Sequence, residues 1–154
     1  MDLKDLYQDI ILEHGKNPRN FGKCDGHNHT AKGYNPLCGD QVEIYLKVDK
    51  EKNVNEVSFE GSGCAISMAS TSIMTELVKG KSLDIAKEII NEFFNMIKSG
   101  SEMKTKDLND DQKIKIMSLS GVKKYPMRVK CATLSWHTLI SALDGKNKEV
   151  NTEK

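Results

Sequence analysis

The chain has 154 residues, of which 38% are hydrophobic and 29% charged, and this fits a single folded domain. Its 23 basic residues nearly balance 22 acidic ones, which argues against a polybasic nucleic-acid binder and against an acidic disordered tail. The first residues lack the basic start and apolar core of a signal peptide, and no apolar run approaches the roughly 18 residues of a membrane span. We therefore expect a cytoplasmic protein that binds neither nucleic acid nor membranes.

The first half of the chain predicts one helix followed by three strands. Leu3, Leu6 and Ile10 recur at helical spacing. Val42 and Ile44 begin an alternation of apolar and polar residues that is typical of a half-buried strand. The predicted ranges are a helix over 2–14, a short strand over 31–34, and strands over 41–48 and 54–60.

The second half predicts four helices, with starts and stops marked by Ser82, Pro126 and several glycines. The segment 99–109 is polar and is expected to be mobile, and the residues after Asp144 are expected to fray. The predicted helices cover 64–79, 82–98, 110–119 and 126–143.

This order of elements predicts an α+β domain, with a small antiparallel three-stranded sheet packed against about five helices. We find no internal repeat and no linker between domains. The prediction is therefore one domain over residues 1–145 and a polar C-terminal tail over residues 146–154.

Four cysteines are the main candidates for chemistry: Cys24, Cys38, Cys64 and Cys131. A reducing compartment keeps thiols free, which favours metal binding or sulfur chemistry over disulfides. The sequence contains no C-x-x-C pair, so zinc ribbons, thioredoxin-like proteins and ferredoxins lose support. A metal site would have to assemble from distant segments.

The strongest local signal is Pro-Leu-Cys-Gly-Asp at residues 36–40, in a loop before a strand. Gly39 gives the backbone the freedom that would let Cys38 and Asp40 reach one ion. The alternative is a buried cysteine beside an ordinary turn aspartate.

Cys64 follows Gly-Ser-Gly and begins a predicted helix, where unpaired amides and the helix dipole stabilise a thiolate. The alternative is a small apolar residue at a helix start.

Arg128 and Cys131 are three residues apart on the last predicted helix, with Ser135 one turn further along. We expect this side of the helix to lie away from the buried face that carries Trp136. Arg128 is one of only two arginines among the 23 basic residues, which suggests a need for the planar guanidinium group. The alternative is an ordinary surface arginine.

Together, Cys38, Asp40, Cys64 and Cys131 supply three thiolates and a carboxylate. This set suits tetrahedral zinc, while three thiolates also suit an iron–sulfur cluster. A competing metal set is Cys24 with His27 and His29, which have C-x-x-H-x-H spacing.

At these motifs the sequence resembles the SufU branch of the IscU/NifU-N-like superfamily of iron–sulfur cluster assembly proteins. The similarity runs from about Leu6 to Ala142 and includes His-Gly-Lys-Asn-Pro-Arg-Asn at residues 14–20 and Asn-Pro-Leu-Cys-Gly-Asp at residues 35–40. Further matching segments lie at residues 61–70 and 128–136.

Two departures from the IscU branch favour SufU. IscU-type scaffolds carry a histidine before the third motif cysteine and a Leu-Pro-Pro-Val-Lys segment that a chaperone binds, whereas this chain has Lys130 and Lys-Tyr-Pro-Met-Arg at residues 124–128. The 66 residues between Cys64 and Cys131 also exceed the IscU spacing by about a short helix, as in the SufU branch.

The resemblance implies a zinc ion held by Cys38, Asp40, Cys64 and Cys131. It also implies a sulfurtransferase that accepts persulfide sulfur on Cys38 from a SufS-type cysteine desulfurase and passes it to the SufBCD scaffold complex. In that family a histidine of the desulfurase takes the place of the acceptor cysteine on zinc. Arg128, which matches the branch, is expected to assist the transfer by stabilising negative charge on sulfur or by helping Asp40 during ligand exchange.

Two alternatives remain at this point. The same cysteines would assemble a [2Fe–2S] cluster, at least transiently, if the protein were a scaffold. A structural zinc site in an interaction domain is the other alternative.

Overall fold

A computed structural model describes residues 2–145 and 149–151 of the chain. Within these ranges it contains five α-helices, one 3-10 helix and four strands, and none of the helices has the length and apolar character needed to cross a membrane. The elements in chain order are α1 (Leu3–Lys16), β1 (His29–Asn35), β2 (Asp40–Val48), β3 (Val54–Ser62), α2 (Ala65–Val78), α3 (Leu83–Ser99), α4 (Asp110–Met117), the 3-10 helix (Ser118–Lys124), α5 (Pro126–Leu143) and β4 (Glu149–Asn151).

The sheet has the strand order β3-β2-β1-β4. β2 pairs with β1 and with β3, both antiparallel, which confirms the predicted three-stranded antiparallel sheet and the α+β class. Val42, Ile44 and Leu46 are buried, as the alternation along β2 predicts. Asn35 and Asp40 form the last pair between β1 and β2, so residues 36–39 make the turn that joins them.

β4 adds a short parallel strand at the free edge of β1, where Gly33 pairs with Val150. It lies within residues 146–154, for which the sequence predicts a frayed polar tail, so that expectation is wrong for residues 149–151. Three residues are too short to show a strand period in the sequence, and pairing here satisfies backbone groups at the edge of β1. The rest of the predicted tail, residues 146–148 and 152–154, lies outside the described residues.

Helices α2 and α5 pack against the sheet and against each other. Trp136 of α5 stacks on Phe93 of α3 with ring centroids 4.0 Å apart, and its Nε1–H donates to Ser70 Oγ on α2 at 2.9 Å. The Ser70 hydroxyl in turn donates to the carbonyl of Ala132 on α5 at 2.6 Å. These bonds fix the position of α2, which begins directly after Cys64, relative to α5, which carries Cys131.

His14 connects α1 to α2 in the interior, although the sequence predicts only a residue at a helix end. Its side chain is buried, and Nδ1 lies 2.8 Å from Ser72 Oγ. Ser72 Oγ also accepts from the backbone N–H of Arg19, and His14 Nε2 lies 3.5 Å from Glu76 Oε1. Burial, followed by the charge of Arg19, lowers the pKa of His14.

The segment between α3 and α4 is packed against the core, whereas the sequence predicts a polar, mobile segment. Met103, Thr105 and Leu108 are buried. The Glu92 carboxylate accepts from the backbone N–H groups of Lys104 and Thr105, the second at 3.0 Å. Two isolated apolar residues in a polar segment carry no periodicity, so the sequence does not reveal this packing.

Candidate metal centre

Cys38 lies on the turn between β1 and β2. Gly39 next to it has φ +71°, a conformation that favours glycine, and a Cβ at that position would meet no atom of the described residues within 4 Å. Leu37 on the other side is 49% exposed. Cys38 is therefore a half-buried cysteine on an adaptable turn that is open to solvent.

Cys131 faces this turn from α5, and its Sγ lies 3.4 Å from Cys38 Sγ. The sequence-based prediction that Cys131 and Ser135 lie away from the buried face of the helix is wrong, because both are buried. α5 packs against β1, β2 and α2 at once, so most of its circumference is covered. A pattern that assumes one buried face misses this.

Asp40 is fully buried at the start of β2, and both of its carboxylate oxygens accept hydrogen bonds. Oδ1 accepts from the backbone N–H of Cys64 at 2.9 Å, and Oδ2 accepts from Asn35 Nδ2 at 3.2 Å. A side chain at Gly63 would collide with this carboxylate. The absence of a Cβ at Gly63 therefore allows the chain before α2 to approach Asp40.

Cys64 is the N-cap residue of α2, and its Sγ accepts from the backbone N–H of Ser67 at 3.4 Å. Among the described residues, Cys38, Asp40 and Cys131 form a group whose potential ligand atoms all lie within 4.8 Å of one another. The Cys64 sulfur lies outside that group, although its backbone N–H contacts Asp40. The structure thus brings three of the four predicted ligands together and places the fourth at the edge of the group.

The environment of Cys131 disfavours a thiolate in the absence of a cation. Burial raises the pKa of this thiol, and hydrogen bonds with Asp40 and Cys38 raise it further. A bound cation would reverse the balance, because it stabilises the deprotonated sulfur. Cysteine sulfur and carboxylate oxygen are ligands that zinc accepts, so the chemistry of these residues fits a zinc ion.

Arg128 lies in the exposed first turn of α5, beside the cysteines. A hydrogen bond with Cys131, followed by the negative charge of Cys64, raises the pKa of its guanidinium group. The structure therefore places a permanent positive charge next to the sulfur cluster, on its solvent side.

Asn35 is a site residue that the sequence analysis does not single out. It is fully buried at the end of β1, and its Nδ2 lies 3.2 Å from Asp40 Oδ2 and 3.7 Å from Cys131 Sγ. Asparagine before proline is an ordinary turn residue in a sequence. Only the pairing of Asn35 with Asp40 across the hairpin shows that its amide reaches the candidate ligands.

The competing set of Cys24, His27 and His29 does not converge on one point. Cys24 Sγ donates to Glu56 at 3.3 Å. His27 Nδ1 lies 2.9 Å from the Cys24 carbonyl, and His29 Nδ1 lies 2.6 Å from that of Ala142. These residues form no metal-ligand group within residues 2–145.

Comparison with known proteins relates the chain to iron–sulfur cluster assembly proteins. The family model for the NifU-like N terminal domain matches residues 6–132. The chain is 41% identical over 138 residues to the zinc-dependent sulfurtransferase SufU of Bacillus subtilis. These aligned residues cover 90% of this chain and 89% of that protein. It is 36% identical over 141 residues to the iron-sulfur cluster assembly scaffold protein IscU of Streptococcus pyogenes serotype M1, covering 92% and 84% of the two chains.

Solved structures show the same architecture. A putative iron-sulfur cluster assembly scaffold protein for the SUF system from Fervidobacterium islandicum AW-1 matches with a TM-score of 0.77 and 38% identity, over 88% of this chain and 94% of that one. The N-terminal part of a NifU-like protein from Brucella abortus matches with a TM-score of 0.79 over 93% and 95% of the two chains, at 22% identity. The second similarity supports the fold alone.

Proposed function

The chain belongs to the NifU-like N-terminal domain family, and from this we propose that it is a zinc-dependent sulfurtransferase of SUF-type iron–sulfur cluster biogenesis. The observation that carries the proposal is the group formed by Cys38, Asp40 and Cys131, with Arg128 beside Cys131. The 41% identity to a protein named as a zinc-dependent sulfurtransferase supports it.

We assign zinc binding to Cys38, Asp40, Cys64 and Cys131. Zinc would keep these thiols deprotonated and protected in a reducing, neutral environment. The protein contributes two ligands on well-packed elements, Asp40 and Cys131, which are both fully buried. Cys64 completes the set from the N-terminus of α2, where the helix dipole favours a thiolate.

Cys38 is the proposed sulfur acceptor because it combines access with freedom to move. Cys131 is buried, and Cys64 is held at the helix start by Ser67. The Cys38 thiolate attacks the terminal sulfur of a persulfide on the partner, forming a new S–S bond while the partner's S–S bond breaks. The partner's cysteine leaves as a thiolate, and no external oxidant or reductant is needed.

Arg128 is proposed to stabilise the negative charge on sulfur during this exchange. The guanidinium group donates several N–H bonds in a fixed plane and stays charged at every relevant pH. Its exposed position beside the cysteines allows it to reach an incoming persulfide.

The proposed partners are a SufS-type cysteine desulfurase as sulfur donor and the SufBCD scaffold complex as recipient, in the cytoplasm. Three large apolar side chains near the site are exposed: Leu37 beside Cys38, and Tyr125 and Met127 at the start of α5. Exposed apolar groups around a reactive site are typical of a surface that docks a protein partner.

A scaffold for a [2Fe–2S] cluster is the second candidate function. The three cysteines and the 36% identity to a protein named IscU favour it. However, Lys130 stands where IscU-type scaffolds carry a histidine, and the metal-ligand group within residues 2–145 contains no histidine. A lysine is protonated at neutral pH and is a poor metal ligand.

Metal analysis of protein purified without added metal separates the two functions. We expect about one zinc per chain and a lower melting temperature after chelation, because a site formed only in the folded protein couples binding to folding. Iron and acid-labile sulfide in place of zinc, with the absorption of an iron–sulfur cluster, would establish the scaffold function instead.

Mass spectrometry of the alkylated protein, after incubation with a SufS-type desulfurase and cysteine, tests the acceptor. We expect the added sulfur on Cys38, and Cys38→Ala should abolish stimulation of the desulfurase while a persulfide still forms on the partner. Added sulfur on Cys64 or Cys131, with Cys38 unmodified, would refute the assignment.

The role of Arg128 is tested by comparing Arg128→Ala with Lys130→Ala, which removes a neighbouring cation from the same helix turn. We expect Arg128→Ala to retain zinc and to slow sulfur transfer, and Lys130→Ala to change neither. Equal transfer rates in the two variants would exclude a specific role for the guanidinium group.

A further inference from the structure

We propose that Asn35 is a positioning residue that holds Asp40 and Cys131 together by donating one side-chain N–H to each. This inference rests on the proposed zinc site and adds a residue that neither the family match nor the names of the relatives assign. It concerns how the fold holds two buried ligands close together, although their negative charges repel each other when both are ionised.

The geometry provides one donor for each ligand. An asparagine amide nitrogen carries two hydrogens, and Asn35 Nδ2 lies 3.2 Å from Asp40 Oδ2 and 3.7 Å from Cys131 Sγ. The longer distance suits the larger sulfur atom. Asn35 belongs to β1, Asp40 to β2 and Cys131 to α5, so this single amide connects three elements.

The orientation of the amide is determined by these contacts. The NH2 group, and not the carbonyl oxygen, faces Asp40 Oδ2 and Cys131 Sγ. As a result, Asn35 Oδ1 is buried without a hydrogen-bond partner in the described part of the chain. An unpaired buried oxygen is unfavourable. The orientation therefore indicates that the two hydrogen bonds donated to the ligands outweigh the cost of leaving Oδ1 unpaired.

A neutral donor is suited to this position because it orients the ligands by hydrogen bonds without neutralising their negative charge. A lysine or arginine here would neutralise the carboxylate that a metal ion needs. With Asn35 on Oδ2 and the Cys64 N–H on Oδ1, Asp40 is held in one orientation and keeps lone pairs for an ion. Hydrogen bonds from surrounding groups commonly orient metal ligands in this way.

The main test compares zinc affinity in Asn35→Leu and Ser135→Ala by competition with a chromophoric chelator. Leucine has the same number and branching of side-chain heavy atoms as asparagine but no donors, and we expect about 10- to 100-fold weaker binding. Ser135 is buried one helix turn after Cys131, and its Oγ has no hydrogen-bond partner among the described residues. Ser135→Ala should therefore bind zinc like the wild type.

Cobalt substitution gives a readout that a general loss of stability does not produce. A hydrogen bond to a thiolate raises the energy of its charge-transfer band, so Asn35→Leu should shift the sulfur-to-cobalt band to longer wavelength. Ser135→Ala should leave the band in place. If Asn35→Leu does not fold, the wild type loaded with cadmium-113 answers the question by NMR. A side-chain amide proton of Asn35 should then move downfield and couple to the metal through Cys131 Sγ.

The outcomes separate this role from the proposed function. A wild type that binds no zinc refutes both. Tight zinc binding by the wild type, with equal affinity and an unshifted cobalt band in Asn35→Leu, overturns only the role of Asn35. Asn35 amide protons that do not respond to cadmium-113 in the wild type overturn it as well.

Discussion

Replacing Gly63 by alanine should displace Asp40 from the candidate site. An ideal Cβ on Gly63 would collide with Asp40 Oδ1 and lie 3.0 Å from Asp40 Cγ and 3.1 Å from Asp40 Cα. The backbone of Asp40 cannot retreat easily, because Asp40 is fully buried and belongs to β2. The carboxylate must rotate away and lose its bond to the backbone N–H of Cys64.

The expected loss follows from that bond. A hydrogen bond to a charged group contributes about 1.5–3 kcal/mol to stability. For a chain of this size, each 1 kcal/mol lowers the melting temperature by about 2–4 °C, so Gly63→Ala should melt roughly 3–12 °C lower. The zinc content should also fall, because one ligand is turned out of the site.

The assay is thermal unfolding of the metal-free, reduced protein, so that the effect on folding is separated from metal binding. Gly121→Ala is the matched control, because a Cβ at Gly121 meets no atom within 4 Å in the part of the chain that the structure describes. This change should alter stability by no more than about 1 kcal/mol. If the two variants melt at the same temperature, the close approach of Gly63 to Asp40 does not hold the site.

Three further predictions concern the fold around the site. Lowering the pH from 7.5 to 5.5 should reduce the free energy of unfolding, since the depressed pKa of His14 means that the unfolded state takes up a proton first, near pH 6.5. In urea titrations His14→Gln, which cannot be protonated beside Ser72, should lose part of this dependence, and an unchanged slope would contradict the argument. Trp136→Phe should cost about 1–3 kcal/mol by the same assay, because the bond to Ser70 is lost and a void remains. Cys24→Ser should leave zinc content unchanged in elemental analysis, and a loss would move the metal site away from the proposed ligands.

The elements that the sequence predicts well have local signals. The alternation of Val42, Ile44 and Leu46 defines β2, and Ser82 caps α3 as predicted, accepting from the backbone N–H of Ile85. Pro126 begins α5 as predicted. In contrast, β4 and the packing of Met103 depend on distant parts of the chain, and no local pattern encodes them.

The candidate site shows the same division between local and long-range information. Motif spacing suggests that Cys38 and Asp40 act together, but it cannot show that Cys131, 93 positions further along than Cys38, brings its sulfur to 3.4 Å. That contact depends on how α5 crosses the hairpin. The amide of Asn35 is equally invisible in the sequence, because its partners are defined by the register of β1 against β2.

The hydrogen bonds of the Ser70 hydroxyl fix one side of the site, whereas the turn over residues 36–39 leaves the other side adjustable. This hydroxyl accepts from Trp136 and donates to the Ala132 carbonyl, so the helices bearing Cys64 and Cys131 cannot change their separation without breaking a buried pair of bonds. Ions of different radius must then be accommodated by the turn over residues 36–39. Exchange of zinc for the larger cadmium should accordingly change the amide chemical shifts of residues 36–39 and leave those of α2 and α5 in place.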